Sequence, residues 1–282
     1  MKNKIGIVLS GGGVRGIAHI GLLKALEEHG IYPTELSGAS AGALTAALYA
    51  AGNKPEDMLS FFRTTPLFRF SFYSASKPGL LDSDKYRCFF EKYFPEDRFE
   101  ALQKKVHVVA TDLLNARYET FSSGELIRPL LASAALPPLF TPIQLNGTLY
   151  SDGGIMNNFP VEPLLGNCDV IIGSYCNPPM KTDKLRMTST TNLMKRAAEL
   201  RFYTDARQKF GSCNYIYEPI ELSRFNFLDT KNIDAIFELS YHSALSQVEK
   251  IMGIVEGRAE AFEECMAGLP TRKAFTGLPT MM

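Results

Sequence analysis

Ile5-Gly6-Ile7-Val8-Leu9-Ser10-Gly11-Gly12-Gly13-Val14-Arg15-Gly16 joins an apolar run of strand length to a glycine-rich loop near the start of a 282-residue chain. The run does not alternate apolar with polar residues. It therefore predicts a central strand of a parallel sheet, buried on both faces and ending at Ser10. Beyond the loop, Ile17, Ile20, Leu23, Ala25 and Leu26 recur at helical spacing up to His29, and Gly30 stands where a left-handed cap is wanted. The unit reads strand, glycine loop, helix, the opening of an α/β fold.

A second glycine cluster, Gly38-Ala39-Ser40-Ala41-Gly42, follows Pro33 to Ser37 and precedes the alanine-rich helix Ala41 to Ala51, with Gly52 as its stop. Ser40 is thus expected on a strand-to-helix turn. Glycines on both sides let strand and helix approach closely while the serine takes a strained conformation that exposes its oxygen. Small residues also gather at turns for steric reasons alone, so the pentapeptide needs a context. Acyl chemistry at a serine requires an exposed hydroxyl and nearby backbone N–H donors for the negative oxygen of the intermediate. Two glycine turns on successive strands would bring both to one sheet edge.

Gly11, Gly13 and Gly16 also fit G-x-G-x-x-G, so a nucleotide-binding or regulatory module is a competing reading. That fold wants an acid ending the second strand. Glu35 is the available residue, and it lies before the strand end rather than after it.

Composition narrows the classes. Thirty basic and thirty acidic residues balance, so no overall field favours nucleic acid, and 45% hydrophobic residues suit an ordinary globular protein of one large domain spanning 1–282. Five scattered cysteines, Cys88, Cys168, Cys176, Cys213 and Cys265, form no C-x-x-C pair, which predicts neither a disulfide framework nor a metal site. Met1 to Lys4 passes directly into the first strand, and no run reaches membrane-span length, so a cytoplasmic chain without cofactors is expected. Lys181 to Lys209 carries eight basic and three acidic residues. This composition would allow transient contact with an anionic membrane surface, although solvated helix faces look the same.

Twelve of the thirty-one aromatic residues fall between Phe61 and Phe99, a lid-like insertion. Tyr86, Phe89, Phe90, Tyr93 and Phe94 make one stripe on a helix starting near Asp82 to Asp84, packed on the core or lining an acyl pocket. Further on, Val106 to Thr111, Tyr118 to Phe121, Cys168 to Ser174 and Asn214 to Leu222 read as strands. Helices are expected at Glu125 to Ala135, Asn192 to Phe210 and Asp234 to Val255, with a loose tail from 268 to 282.

A catalytic serine needs a base, usually histidine. His19, His29, His107 and His242 all sit inside predicted elements, and only His242 keeps the Ser, Asp, His order of an α/β-hydrolase. Asp152 in Leu149-Tyr150-Ser151-Asp152-Gly153-Gly154 has the better setting, at a strand end before two glycines, although Asp-Gly-Gly is also a common surface turn. A carboxylate beside Ser40 in a partly dry pocket would have a raised pKa and act as a stronger base.

Gly11 to Gly16, Gly38 to Gly42 and Asp152 to Gly154, in this order, resemble the patatin-like phospholipase family. The resemblance extends through Ile17 to Glu28, Ala132 to Pro142 and Ile155 to Val161, covering about residues 4–175. It implies a three-layer α/β/α sandwich with a mainly parallel central sheet, acting on carboxyl esters of lipids. By motif position it implies Ser40 as nucleophile, Asp152 as base, and the backbone of Gly11, Gly12, Gly13, Val14 and Arg15 as oxyanion hole. An acyltransferase on the same site is the nearest alternative. For Arg15, holding the loop or a phosphate head group competes with simple solvation.

Overall fold

The computed structural model describes residues 3–66, 70–181, 183 and 187–258. Among these, eight strands form one sheet: β1 (Ile5–Leu9), β2 (Glu35–Ala39), β3 (Lys105–Asp112), β4 (Arg117–Phe121), β5 (Ile143–Leu145), β6 (Thr148–Asp152), β7 (Val170–Ser174) and β8 (Tyr215–Tyr217). The order is β5-β6-β3-β2-β1-β7-β8, with β4 also paired to β3. The sheet is mixed. β3, β2, β1, β7 and β8 run parallel, whereas β4 and β6 lie antiparallel to β3, and β5 antiparallel to β6. β1 has a parallel neighbour on each side and is buried throughout, as its unbroken apolar run requires.

Helices cover both faces. α1 (Ala18–Glu28), α2 (Ala41–Ala50), α3 (Pro55–Thr64), α4 (Arg87–Glu91) and α5 (Ile127–Ser133) share the larger core with α8 (Ile233–Leu245) and α9 (Val248–Val255). α6 (Gly154–Asn157) follows β6, and α7 (Thr190–Lys209) closes the other face over a second cluster that includes Val8, Phe159, Leu164, Tyr175 and Phe210. α1 is buried almost all round because it lies between the sheet and α8, and a side chain at Gly21 would collide with Ser240.

Several expected elements change shape for identifiable reasons. The strand expected at Asn214 to Leu222 stops at Tyr217, since Pro219 has no N–H for a ladder, and a 3₁₀ turn follows at Ile220–Arg224. The single helix expected at Asp234 to Val255 breaks into α8 and α9. At the break, Ser246 Oγ (2.7 Å) and Gln247 Nε2 (3.1 Å) both donate to the Ser243 carbonyl, and Gln247 N–H turns to Ala244 instead. The helix expected at Glu125 to Ala135 begins only at Ile127, where Asp97 Oδ1 accepts from the N–H groups of Leu126 and Ile127. In the aromatic segment a 3₁₀ turn at Ser83–Tyr86 leads into the short α4. The tail from 268 to 282 lies outside the described residues.

Candidate active site

β2 and α2 meet at Ser40, whose backbone stands at φ 53° and ψ −128°, a left-handed conformation that costs a side-chain-bearing residue on the order of 1–3 kcal/mol. Neighbours hold it there. Its N–H donates to Ser133 Oγ on α5 at 2.9 Å, Ser133 Oγ donates to the Val109 carbonyl of β3 at 2.6 Å, and its carbonyl accepts from Leu44 N–H. The flanking glycines are required by closeness. A methyl on Gly42 would strike the Leu9 carbonyl, and one on Gly38 would stand 2.6 Å from the Ala43 nitrogen. α2 can therefore start directly against the end of β1.

β6 runs antiparallel to β3 and delivers Asp152 opposite Ala110, one residue past Val109, which pairs with Ala39. Ser40 Oγ donates to Asp152 Oδ2 at 2.7 Å, and Gly154 N–H donates to Oδ1 at 2.7 Å. Both side chains are buried, with Asp152 at 3% exposure. Burial pushes the Asp152 carboxyl up to about 6, against the opposing pull of the hydrogen bonds from Ser40 and Gly154. Such a carboxylate is ionised at neutral pH, yet basic enough to accept a proton.

The glycine loop closes the third side. A methyl on Gly11 would lie 3.2 Å from Ser40 Cβ, so loop and serine are in direct contact. Of the five residues whose backbone was expected to donate, Gly11 gives its N–H to the Asn158 carbonyl at 3.2 Å and Val14 gives its own to the Phe227 carbonyl at 3.0 Å. Gly12 and Gly13 N–H make no hydrogen bond to any described residue. Gly12 caps and Gly13 opens the 3₁₀ turn Gly13–Ile17 that runs into α1, and Ser40 caps α2, so the positive ends of two helices face this point. Arg15 turns inward. Its Nε donates to the Phe225 carbonyl at 2.9 Å, and Nη2 lies 3.9 Å from Glu199, so the residue ties loop and α7 to the segment before α8.

From Ser40 a cavity of about 140 Å³ runs between α2, α3, α5 and the start of α8. Leu44, Phe61, Tyr86, Phe90, Leu131 and Phe140 are among its walls, and Phe227 and Leu228 also line it. Of the aromatic stripe, Tyr86 and Phe90 are core residues, and both also line the cavity. Phe227 and Leu228 carried no sequence signal for this role. Neither did Asn177, whose side chain donates to the Gly11 carbonyl.

The histidines stand elsewhere. His19 is buried under Ser10, its Nε2–H donating to the Ser10 carbonyl and its Nδ1 accepting from Ser174 Oγ, both at 2.8 Å; burial holds it neutral, at about 4. His107 Nε2 meets Glu35 Oε1 at 2.8 Å, and His29 Nδ1 bonds the Ala25 carbonyl. His242 is 70% exposed and pairs with Glu238 on its own helix, not with Ser40 or Asp152. Glu35, the residue a dinucleotide fold would need, starts β2 at the opposite sheet edge among Lys4, Lys105 and His107. A Cβ on Gly12 would meet Cys176 and one on Gly13 would meet Phe227, so each glycine packs against protein on that side. Among the described residues no cluster of His, Cys, Asp and Glu is arranged to hold a metal ion.

Comparison with known proteins gives concordant findings. The model of the patatin-like phospholipase family matches residues 7–165. An uncharacterized NTE family protein of Mycobacterium bovis is 30% identical over 72% of this chain and 59% of its own length. Lysophospholipase NTE1 of Cryptococcus neoformans is 33% identical over 58% of this chain and 10% of its own. The chain thus spans less than two thirds of the length of these curated relatives. Among solved structures, VipD of Legionella pneumophila aligns with a TM-score of 0.55 at 15% identity, over 88% of this chain and 67% of that one. Human GIVD cytosolic phospholipase A2 aligns at 0.51 and 11% identity, over 93% and 60%. At these identities the likeness is one of fold.

Proposed function

Because the chain belongs to the patatin-like phospholipase family, we propose that it is a serine lipid acyl hydrolase that cleaves carboxyl esters of phospholipids or acylglycerols through a Ser40–Asp152 dyad. One observation carries the reading: the 2.7 Å hydrogen bond to a buried carboxylate from the Oγ of Ser40, which lines an apolar cavity.

As Ser40 Oγ attacks the ester carbonyl, its proton passes to Asp152 Oδ2. The carbonyl π electrons move to oxygen, and this oxyanion is held by the Gly12 and Gly13 N–H groups, each such donor being worth about 2.7–4 kcal/mol. Asp152 then protonates the leaving alcohol as the C–O bond breaks, leaving Ser40 acylated with the chain in the cavity. Water, deprotonated by Asp152, attacks the acyl carbon, and Ser40 departs with the proton. Fatty acid and free enzyme result.

Transient membrane contact falls to the outer face of α7. Leu193 and Met194 there are 59% and 68% exposed beside Lys195 and Arg196, and Arg196 also ties the helix to the Met180 carbonyl. Apolar and basic groups together suit an anionic lipid surface.

The test is labelling by a fluorophosphonate together with ester turnover, in wild type, Ser40→Ala, Asp152→Asn and His242→Ala. Wild type and His242→Ala are expected to label and turn over, and the other two to lose turnover. A folded wild type that neither labels nor hydrolyses any chain length would end the proposal. Release of acyl product only when an alcohol acceptor is added would make the protein an acyltransferase.

A further inference from the structure

The Gly11 carbonyl is held by more groups than a loop carbonyl needs. Asn177 Nδ2 donates to it, Asn158 Nδ2 approaches at 3.4 Å, and Cys176 Sγ lies at 3.6 Å. Asn177 and Asn158 are 7% and 6% exposed, and the N–H of Gly11 is tied to Asn158 as well. Asn177 and Cys176 thus fix the peptide plane between Gly11 and Gly12 from one side, and Asn158, which follows β6, braces it from the side of Ser40.

Topology decides which side. β1 lies between β2 and β7; Ser40 follows β2, whereas Cys176 and Asn177 follow β7. In a trans peptide the carbonyl and the next N–H leave opposite edges of one plane. A Gly11 carbonyl drawn toward the β7 side therefore turns the Gly12 N–H toward the β2 side, where Ser40 stands. Between two glycines nothing steric opposes rotation of this plane, and a half-turn would replace the donor by a carbonyl oxygen that repels an oxyanion.

We propose that Asn177, backed by Asn158, is a positioning residue for the acyl-transfer reaction: it clamps the Gly11 carbonyl so that the Gly12 N–H stays aimed at the oxygen developing on the substrate. The inference rests on the Ser40–Asp152 reading and adds to it a residue that touches neither substrate nor dyad. Packing and hydrogen bonding by Asn177 separate cleanly by substitution. Asn177→Asp keeps the shape but replaces the donor with an acceptor facing a carbonyl, whereas Asn177→Ala removes both.

The experiment measures kcat and KM on a 4-nitrophenyl ester, inhibition by a trifluoromethyl ketone of matching chain length, and thermal unfolding. In both variants kcat is expected to fall by about 10- to 10³-fold, the upper figure being full loss of one donor. KM should stay within about twofold, and ketone inhibition should weaken by the same factor as kcat/KM, because only the tetrahedral adduct uses the donor. Wild-type-like kcat in Asn177→Asp, or a loss carried by KM with ketone affinity unchanged, would overturn the clamp while leaving the dyad standing. If one variant does not fold, the other is read alone. Failure of wild type to turn over any ester would remove the dyad and the clamp together.

Discussion

Ser40 Oγ and Asp152 Oδ2 lie 2.7 Å apart although 112 positions separate them in the chain. The contact exists because β2 and β6 both pair with β3, so one strand sets the height of both residues. Among the described residues no cation faces the carboxylate, and burial pushes its proton affinity up to about 6. A base must be ionised to work. kcat/KM is therefore expected to rise about tenfold per pH unit below 6 and to level off above it, with a single ionisation on this limb. A limb centred near 4 would mean that the carboxylate is solvated in the working enzyme.

The same shift acts on stability. Between the ordinary aspartate value of 3.8 and about 6, the folded state keeps a proton that the unfolded chain releases. The stabilisation this brings is complete below 3.8 and is lost as pH rises through 6, leaving a buried charge at neutral pH. Asp152→Asn should thus be inactive yet more stable than wild type at pH 7.5, by on the order of 2–3 kcal/mol. Chemical denaturation at pH 7.5 and pH 4.5 checks this, since the gap should narrow at the lower pH.

Ser40 itself stores strain. Its φ of 53° suits glycine better than any other residue, so removing the hydroxyl alone does not relieve it. Ser40→Gly and Ser40→Ala should both be inactive, with Ser40→Gly the more stable by about 1 kcal/mol in urea unfolding. Equal stabilities would show that the turn is not strained.

The parts of this site that could be read from sequence are those where the backbone leaves no choice. Gly38 and Gly42 are needed by the approach of α2 to β1, and Asp152 stands before glycines that turn the chain away from β6. Steric necessity leaves a pattern. Asn177 leaves none, because a lone asparagine after a strand becomes informative only when β7 is seen beside β1. The wall formed by Phe227 and Leu228 is hidden for the same reason, being made by a segment more than 200 positions from the loop it covers. The break between α8 and α9 was hidden differently: the apolar spacing continues through it, and only the side chains of Ser246 and Gln247 interrupt the backbone ladder.

At the opposite edge of the sheet, Glu35 holds stability rather than chemistry. Burial alone would raise its carboxyl, but hydrogen bonds from Lys4, His107 and Lys105 prevail and hold it at about 2. A depressed value means stability that is present above the ordinary 4.5 and lost as pH falls toward 2. Glu35→Gln should lower Tm at pH 7, and the difference from wild type should shrink in acid. Ester turnover per folded molecule should not change, since the residue lies at the far end of β2 from Ser40. A loss of kcat in folded Glu35→Gln would show that the two edges are coupled.

Phe90 offers a test of where the acyl chain lies. Its ring meets Phe61 edge-on with centroids 5.1 Å apart, both rings line the cavity from Ser40, and Phe90 is 3% exposed. Truncation to alanine would cost about 3–5 kcal/mol of stability, so Phe90→Leu is the better probe. The space it opens lies in the cavity wall and is apolar, so it should accept added methylenes, each worth about 0.8 kcal/mol of burial, or roughly fourfold. Across a series of 4-nitrophenyl esters the preferred chain should lengthen by about one carbon. The kcat/KM ratio of the longer to the shorter ester should then rise about threefold, somewhat below the ideal of one fully buried methylene. An unchanged preference, with Phe90→Leu folded and active, would mean that the chain leaves the cavity before reaching this ring.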